Sequence, residues 1–210
     1  MTISAFPPAG LDVPRETFGK IEHFVALLVD ENARQNLVAK STLPDLWQRH
    51  IVDAAQLAAF APGRQSWLDI GSGAGLPGLV IAILTGQPML LVEPRRLRAD
   101  FLQRAIDALD LGQTVSVIQS KVEAVRHPPI DVITARAVAS VDHLFTMAAH
   151  LSHNGTIWVL PKGRSAKSEL DEARRTWQGD FRLEPSRTDP GAQIVIASRV
   201  RRYSGARGVA

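Results

Sequence analysis

Four glycines crowd residues 67–79, WLDIGSGAGLPGL, directly behind a short apolar run that contains an acid. Glycines after a first strand let the backbone approach a ligand closely and direct the following helix towards it. The spacing is not that of the dinucleotide fingerprint G-x-G-x-x-G, because Leu76 stands where the third glycine should be. The segment therefore predicts a ligand-binding loop of another kind, with Gly71, Gly73 and Gly75 at its centre.

Asp69, in the strand before the loop, indicates which sign of charge that ligand carries. A carboxylate there would repel a pyrophosphate but would favour an ammonium or a sulfonium, and S-adenosylmethionine carries both. Glu93, at the end of the second apolar run, is placed to accept hydrogen bonds from ribose hydroxyls. An NAD ribose would be bound in the same way, and a helix-capping role is the alternative for Glu93. The two acids indicate a nucleoside ligand with positive charge.

A second group of candidates lies outside the glycine loop. Arg49, His50 and Asp53 fall at positions i, i+1 and i+4 of a helix predicted to begin at Pro44, so His50 and Asp53 can share one face. Arg136 follows the fourth predicted strand, at the carboxyl edge of the sheet where ligands bind. We expect Arg136, His50 and Asp53 to act at the active cleft by positioning. The alternatives are a satisfied structural histidine and a surface ion pair.

The elements that must hold these residues follow from the apolar pattern. Beyond Gln65, short runs rich in Val, Ile and Leu alternate with helical stretches, which predicts a mostly parallel sheet covered on both faces. The predicted strands are residues 67–70, 89–93, 114–118, 131–135, 156–160, 180–185 and 193–200, the last two as an antiparallel pair at the edge. Helices or helical turns are predicted at 78–84, 96–109, 121–125, 141–151 and 165–177.

Two further helices are predicted before the first strand. One is capped by Asp12, with Pro14 in its first turn, and the other is the helix that begins at Pro44. We therefore divide the chain into an N-terminal helical extension, residues 1–64, packed on a core of residues 65–210.

Composition excludes several classes of protein. The 210 residues are 45% hydrophobic and include no cysteine, which rules out disulfides, thiolate metal sites and cysteine nucleophiles. The six histidines show no metal-ligand spacing, so no metal is expected. The start of the chain does not resemble a signal peptide, and the longest apolar run, 79–84, is too short to cross a bilayer. We expect a soluble, cytoplasmic monomer without a membrane partner.

The net charge of +3 is unevenly distributed. Residues 161–210 carry 11 Lys and Arg against 6 Asp and Glu, while residues 1–160 carry 13 against 15. A basic C-terminal part suits a polyanion, although ordinary solvation is the alternative. The predicted phosphate contacts, most of them forming one basic rim, are Arg49, Lys162, Arg164, Arg201 and Arg202.

The segments RHIVDA, IGSGAGLPG and ARAVAS, with PKG after the fifth predicted strand, resemble the ribosomal RNA small subunit methyltransferase G family, also called glucose-inhibited division protein B. The similarity runs through nearly the whole chain. It implies an α/β, Rossmann-like class I methyltransferase fold and S-adenosylmethionine-dependent N7-methylation of a guanine in 16S ribosomal RNA, on the RNA or the 30S particle. The cofactor contacts that it implies are Gly71, Leu76, Val122, Glu123 and Arg136, with Glu93 in the ribose position.

The residues themselves agree with this acceptor. Methylation at C5 of a pyrimidine commonly needs a cysteine nucleophile, which is absent. The segment after the fourth strand, TARAVAS, lacks the D/N-P-P-Y tetrapeptide of exocyclic amine methylation and the acid of ribose 2′-O methylation. Guanine N7 has a lone pair and no proton, so no general base is required. The alternatives are a methyltransferase for a small molecule or protein, an NAD-dependent oxidoreductase, and a non-catalytic RNA-binding protein.

Overall fold

The computed structural model describes residues 13–203, and seven strands of this range form one sheet in the order β3-β2-β1-β4-β5-β7-β6. Strands β1 to β5 pair in parallel, and β7 runs antiparallel to both β5 and β6. The mostly parallel seven-stranded sheet and the antiparallel terminal pair are thus confirmed. The strands are β1 Trp67–Ile70, β2 Met89–Val92, β3 Val115–Ile118, β4 Val132–Ala135, β5 Ile157–Lys162, β6 Trp177–Pro185 and β7 Gln193–Arg202.

Helices precede the sheet and cover both of its faces. The α-helices are α1 Arg15–Gln35, α2 Asp53–Ala55, α3 Gly78–Thr85, α4 Arg96–Ala108, α5 Val141–Ala148 and α6 Ala166–Thr176. Shorter 3-10 turns lie at Lys40–Thr42, Gln56–Phe60, Val122–Ala124 and Ala149–Leu151. Pro14 is the N-cap of α1, and the predicted cap Asp12 lies outside the described residues. No helix in residues 13–203 is long and apolar enough to cross a membrane.

Alternate residues of each central strand serve two hydrophobic clusters. Trp67 of β1 packs with side chains of α1, α3 and α4, whereas Leu68 and Ile70 pack with α5 and α6 on the other face. Burial of each such aliphatic side chain stabilises the fold by roughly 1.5–3 kcal/mol. Because β1 runs parallel to both β2 and β4, the loops that follow these three strands lie at the same edge of the sheet.

The N-terminal helices belong to the first of these clusters. Ile21, Phe24 and Leu28 of α1 are fully buried in the same cluster as Trp67. The same holds for Ile51 of residues 47–60, named here the second helical segment. The contact brings the segment that contains His50 and Asp53 against the sheet. The division of the chain between residues 64 and 65 remains a prediction.

Two predicted helices differ from the structure. The stretch after Pro44 is not a continuous α-helix, since it forms the second helical segment, residues 47–60: a π-helix at Trp47–Val52, then α2, then a 3-10 helix. The buried Leu46 and Ile51 are five residues apart, a spacing that a π turn places on one side. Helix α6 ends at Thr176 because Trp177 opens β6, pairs with Arg202 and is buried beside Phe145.

Candidate active site

The loop after β1 is built from glycines in the left-handed region. Gly71, Gly73 and Gly75 have φ values of 65°, 51° and 79°, which side chains rarely adopt. The amide of Gly71 donates to the carbonyl of Val92 over 2.8 Å, and this bond turns the loop over the end of β2. A Cβ at Gly75 would lie 2.6 Å from Leu79 of α3. The backbone of the loop therefore passes close to α3.

Glu93 ties this loop to β2 and α4. One carboxylate oxygen accepts from the amide of Gly73 at 2.9 Å, and the other accepts from the amide of Arg95, the N-cap of α4, at 2.9 Å. The capping alternative is therefore present in the structure. Each carboxylate oxygen can accept a further hydrogen bond, so contact with a ribose remains compatible and stays a prediction.

Asp69 lies fully buried beneath the loop. Its Oδ2 accepts from the amide of Gly78 at 3.1 Å, while its Oδ1 has no hydrogen-bond partner. Burial raises the pKa of this carboxyl to about 7, against the hydrogen bond from Gly78 and the positive charge of Arg136. A cation held above the loop would favour the ionised form, and a pyrophosphate would oppose it. The charge of the site thus fits a sulfonium or ammonium ligand.

The pKa of Asp69 gives an expected pH dependence of cofactor binding. The free protein holds a proton on Asp69 below about pH 7, and a cationic ligand lowers the pKa, so binding releases that proton. We expect the affinity for S-adenosylmethionine to rise between pH 5.5 and 7.5, by up to about tenfold per pH unit. Isothermal titration calorimetry in buffers of different ionisation enthalpy measures both the affinity and the released proton.

The matched control is Asp69→Asn, which keeps an acceptor for the Gly78 amide but cannot titrate. The cofactor's own amino group ionises identically with both proteins, so the difference between them isolates Asp69. S-adenosylhomocysteine lacks the sulfonium and should release a smaller fraction of a proton. Equal proton release by the wild type and the variant would contradict this account of Asp69.

Arg136, one residue past the end of β4, meets the second helical segment. Its Nη1 lies 3.4 Å from Asp53 Oδ2 and 3.3 Å from His50 Nδ1. The side chains of Arg136 and Asp53 are only 18% and 20% exposed. His50 and Asp53 thus share one face, as their spacing predicted, and that face is turned towards Arg136.

The hydrogen bonds of His50 fix its tautomer. The hydroxyl of Thr42 donates to the carbonyl of Ala39 at 2.7 Å, so it accepts from His50 Nε2 at 2.8 Å. Nδ1 is then the acceptor for the Arg136 guanidinium. Burial and the charge of Arg136 lower the pKa of His50 to about 4, although Asp53 acts in the opposite direction. His50 is neutral at physiological pH and is too weak a base to take up a proton there.

A cleft of about 440 Å³ opens beside Arg136. It lies at the carboxyl ends of β4 and β5 and at the amino end of β7, and Asp53 forms one wall. The volume falls in the range of small-molecule sites, roughly 300–1,000 Å³. Its other lining residues come from the loop after β4, the end of β5, α6, the connection from β6 to β7 and the start of β7: Ala137, Val138, Ala139, Pro161, Lys162, Gly163, Glu169, Ser186, Ala192, Gln193 and Ile194.

Lys162 is not a free loop cation. Its side chain is 9% exposed, its Nζ lies 3.0 Å from Glu169, and it also donates to the carbonyl of Ala139. Glu169 in turn accepts from the amide of Val141 at 3.2 Å. Together these contacts hold the loop of residues 137–140, in which Val138 lies against Gly71. Contact of Lys162 with RNA stays a prediction.

The predicted basic rim is divided. Because β7 is antiparallel to β5, Gln193 lies opposite Lys162 while Ser198 lies opposite Ile157. Arg202 lies nine residue steps along β7 from Gln193, which places it roughly 30 Å from Lys162 at the carboxyl end of β5, beyond the opposite edge of the sheet. One continuous rim through Arg164 and Arg202 is therefore wrong, since the direction of β7 separates them. Arg49 and Arg164 are exposed on the cleft side of the sheet, and Arg201 and Arg202 are exposed at the other edge. RNA contact at each remains a prediction.

The remaining predicted cofactor residues lie around the same edge. Leu76 is buried at 4% exposure beside Pro77, the N-cap of α3. Val122 and Glu123 form the 3-10 turn after β3, the former buried and the latter exposed. Adenine contacts at this turn stay a prediction. No group of three or more potential metal ligands occurs between residues 13 and 203.

Several residues that contact the candidate site were missed from sequence. Thr42, Gln56 and Thr188 all contact His50 or Asp53, and Thr188 is separated from Asp53 by 135 positions. Hydroxyl and amide side chains in turns are too common to stand out in one sequence. A contact across that separation leaves no periodic pattern.

The sheet order, the glycine loop after β1, the acid after β2 and the antiparallel β7 inserted between β5 and β6 define the fold of the class I methyltransferases. An S-adenosylmethionine-dependent methyltransferase from Aquifex aeolicus superposes with a TM-score of 0.58, at 12% identity, over 74% of this chain and 93% of that one. An O-methyltransferase from Bacillus cereus in complex with S-adenosylhomocysteine gives a TM-score of 0.55 at 15% identity, over 84% of this chain and 90% of that one.

The particular family is given by the sequence comparisons. The profile described as rRNA small subunit methyltransferase G matches residues 17–186. A ribosomal RNA small subunit methyltransferase G from Rhizorhabdus wittichii is 48% identical over 200 residues, 93% of this chain and 92% of its own. A ribosomal RNA small subunit methyltransferase G from Zymomonas mobilis is 45% identical over 199 residues, which are 90% of this chain and 89% of its own. The chain belongs to the rRNA small subunit methyltransferase G family, which confirms the resemblance noted from its motifs.

Proposed function

We propose that this protein transfers a methyl group from S-adenosylmethionine to N7 of a guanine in 16S ribosomal RNA. Membership of the rRNA small subunit methyltransferase G family supports the RNA substrate. The observation that carries the proposal is Arg136, which contacts His50 and Asp53 at the wall of a cleft. Val138, another residue of that wall, lies against Gly71 of the glycine loop.

The chain's own residues fit the cofactor. Gly71, Gly73, Gly75 and Leu76 would form the floor beneath it, Glu93 would receive the ribose hydroxyls, and the turn at Val122 and Glu123 would contact the adenine. When bound, S-adenosylmethionine supplies a methyl group activated by a positively charged sulfur. The buried Asp69, with its unpartnered Oδ1, favours that charge on the loop.

The acceptor requires orientation and no deprotonation. Guanine N7 presents a lone pair and carries no proton, so its attack needs no general base. His50, with its lowered pKa and its Nδ1 engaged by Arg136, is unsuited to that role in any case. Arg136 has N–H groups beyond the two on Nη1 that His50 and Asp53 engage, and they suit the O6 acceptor of guanine while leaving N7 free. Holding reactants in alignment supplies up to roughly 7–11 kcal/mol in favourable intramolecular cases.

The decisive experiment maps N7-methylguanine in 16S ribosomal RNA from cells with and without this protein. We expect one modified guanine to be lost on deletion and restored by the purified protein with labelled cofactor and small subunits. Label found only in protein or small molecules would favour the alternative methyltransferases. No transfer at all, with intact subunits present, would favour a non-catalytic RNA-binding protein.

The oxidoreductase alternative has its own discriminating measurement. Leu76 in place of the third glycine and the buried Asp69 both disfavour a dinucleotide. S-adenosylmethionine should raise the melting temperature and NADH should not. We also infer a monomer in the cytoplasm, which light scattering of the purified protein and cell fractionation test.

RNA binding should depend on salt far more than cofactor binding does. Each phosphate neutralised by Lys or Arg contributes a slope of about −0.7 in log K against log salt on single strands, and about −0.9 on duplex DNA. We expect KM for the small subunit to rise between 50 and 200 mM salt while the cofactor Kd changes little. Arg164→Ala should reduce the slope by about one unit if Arg164 contacts a phosphate. Equal salt dependence of RNA and cofactor binding would contradict the phosphate contacts.

A further inference from the structure

The connection between β6 and β7 reaches back to the candidate active site. The hydroxyl of Thr188 lies 2.7 Å from Asp53 Oδ1, and the opposite oxygen, Oδ2, receives Arg136 at 3.4 Å. Thr188 belongs to the short bend that follows Pro185, outside both strands. The carboxylate of Asp53 thus lies between a turn of the C-terminal hairpin and the arginine at the cleft.

The direction of these hydrogen bonds is fixed by chemistry. An ionised carboxylate only accepts hydrogen bonds, so Thr188 donates its single hydroxyl proton to Asp53. The hydroxyl of Ser186, 3.0 Å away, must then donate to Thr188, and it accepts from the Thr188 amide at 3.2 Å. The chain of donors runs from Ser186 through Thr188 into Asp53. Bonds aligned in this way polarise one another and strengthen the last one.

Gln56 holds the same connection in place. It is 2% exposed, its Oε1 accepts from the amide of Arg187 at 2.9 Å, and its Nε2 donates to Asp53 Oδ1 at 2.9 Å. The same Nε2 also lies within 3.2 Å of Ser186 Oγ and of the Asp53 carbonyl, so its two protons are shared among several acceptors. Thr188, in contrast, donates its hydroxyl proton to Asp53 Oδ1 alone.

We propose that Thr188 is a positioning residue for methyl transfer, acting through the Asp53 carboxylate on the Arg136 guanidinium. The proposal rests on the proposed function, in which Arg136 orients the acceptor. At 3.4 Å the contact between Arg136 and Asp53 is long for a charge-assisted hydrogen bond, so it does not by itself prevent Asp53 from turning. Displacements of about 1 Å in a positioning group reduce rates by up to about 100-fold.

Removal of the Thr188 hydroxyl should leave the fold intact. Thr188 is half-buried, lies in a bend, and belongs to neither hydrophobic cluster. We expect Thr188→Val, which retains the shape, to lower kcat by about 10- to 100-fold. The cofactor Kd and the KM for small subunits should stay within twofold of the wild type, a split that a general loss of structure does not produce.

Three variants make the test specific. Thr188→Ser restores the donor and should retain kcat within twofold, and Thr188→Ala should repeat the loss if the valine variant fails to fold. Thr85→Val is the matched control, because the Thr85 hydroxyl bonds only the carbonyl of Ile81 and the amide of Gln87, within and just after α3. The Asp53→Asn, Thr188→Val double variant should be no slower than Asp53→Asn alone. Additive losses would overturn the proposal, as would wild-type kcat in both the valine and the alanine variant.

A measurement without turnover separates this proposal from the proposed function. In the nitrogen-15 spectrum, restricted rotation should give Arg136 separate Nη resonances in the wild type and in Thr188→Ser, and merged resonances in Thr188→Val. Merging in the valine variant supports the link from Thr188 to Arg136 even if the wild type fails to methylate ribosomal RNA, in which case only the proposed function is lost. Unchanged Arg136 resonances in an active enzyme would overturn the link alone.

Discussion

Arg136→Ala should lower methyl transfer to small subunits by about 10²- to 10³-fold, the range expected when one donor of a preorganised site is removed. The guanidinium joins β4 to the second helical segment through His50 and Asp53, and it forms part of the cleft wall. Single-turnover rates with saturating cofactor measure the loss. The fold should survive, because Asp53 keeps its hydrogen bonds from Thr188 and Gln56.

Two comparisons give this prediction its control. Arg136→Lys keeps the charge but loses the planar fork, so its rate should lie between those of the alanine variant and the wild type. In the wild type the pKa of His50 is lowered to about 4 by burial and by the charge of Arg136. In the alanine variant this pKa should be higher, since the guanidinium charge is removed, but it should stay below its ordinary value because burial remains. Histidine titration by NMR checks the direction. An alanine variant within threefold of wild-type activity would remove Arg136 from the site.

Gly78→Ala should destabilise the protein by about 1–3 kcal/mol, as overpacking of a well-packed interior does. A Cβ at this position would lie 2.5 Å from Leu91 and 2.7 Å from the Asp69 carboxylate. Since the amide of Gly78 donates to Asp69, the same displacement disturbs the buried charge beneath the loop. We expect the melting temperature to fall by about 2–4 °C per kcal/mol for a chain of this size. Binding of S-adenosylmethionine should be lost or greatly weakened.

Gly112→Ala is the matched control for this substitution. Among residues 13–203, apart from Gly112 and its two chain neighbours, nothing lies within 4 Å of a Cβ at Gly112, and its φ is not in the left-handed region. It should leave cofactor binding unchanged and stability equal or slightly higher. If Gly78→Ala kept both the wild-type melting temperature and the wild-type cofactor affinity, the tight packing of α3 against β1 and β2 would not control the loop.

The sequence was sufficient for most of the fold and for the conformation of the glycine loop, while the predicted cofactor contacts stay predictions. The alternation of Leu68 and Ile70 with Trp67, and the glycines at 71, 73 and 75, are local features, because strand periodicity and positive φ act within a few residues. The boundaries that failed were those decided by partners: Trp177 joined β6 because it pairs with Arg202. The family motifs placed Arg136 beside the loop but left its contacts unknown.

The contacts among His50, Asp53 and Arg136 were decided only by the tertiary structure. Sequence spacing put His50 and Asp53 on one face of a helix. The neutral tautomer of His50, however, follows from its hydrogen bond with Thr42, and Asp53 is oriented by a hydrogen bond from Thr188, 135 residues away. The direction of β7 likewise separated Arg202 from Arg164, which composition had grouped together. Local periodicity and backbone sterics are written in neighbouring residues, whereas hydrogen-bond partners across a sheet exist only after the two hydrophobic clusters have packed.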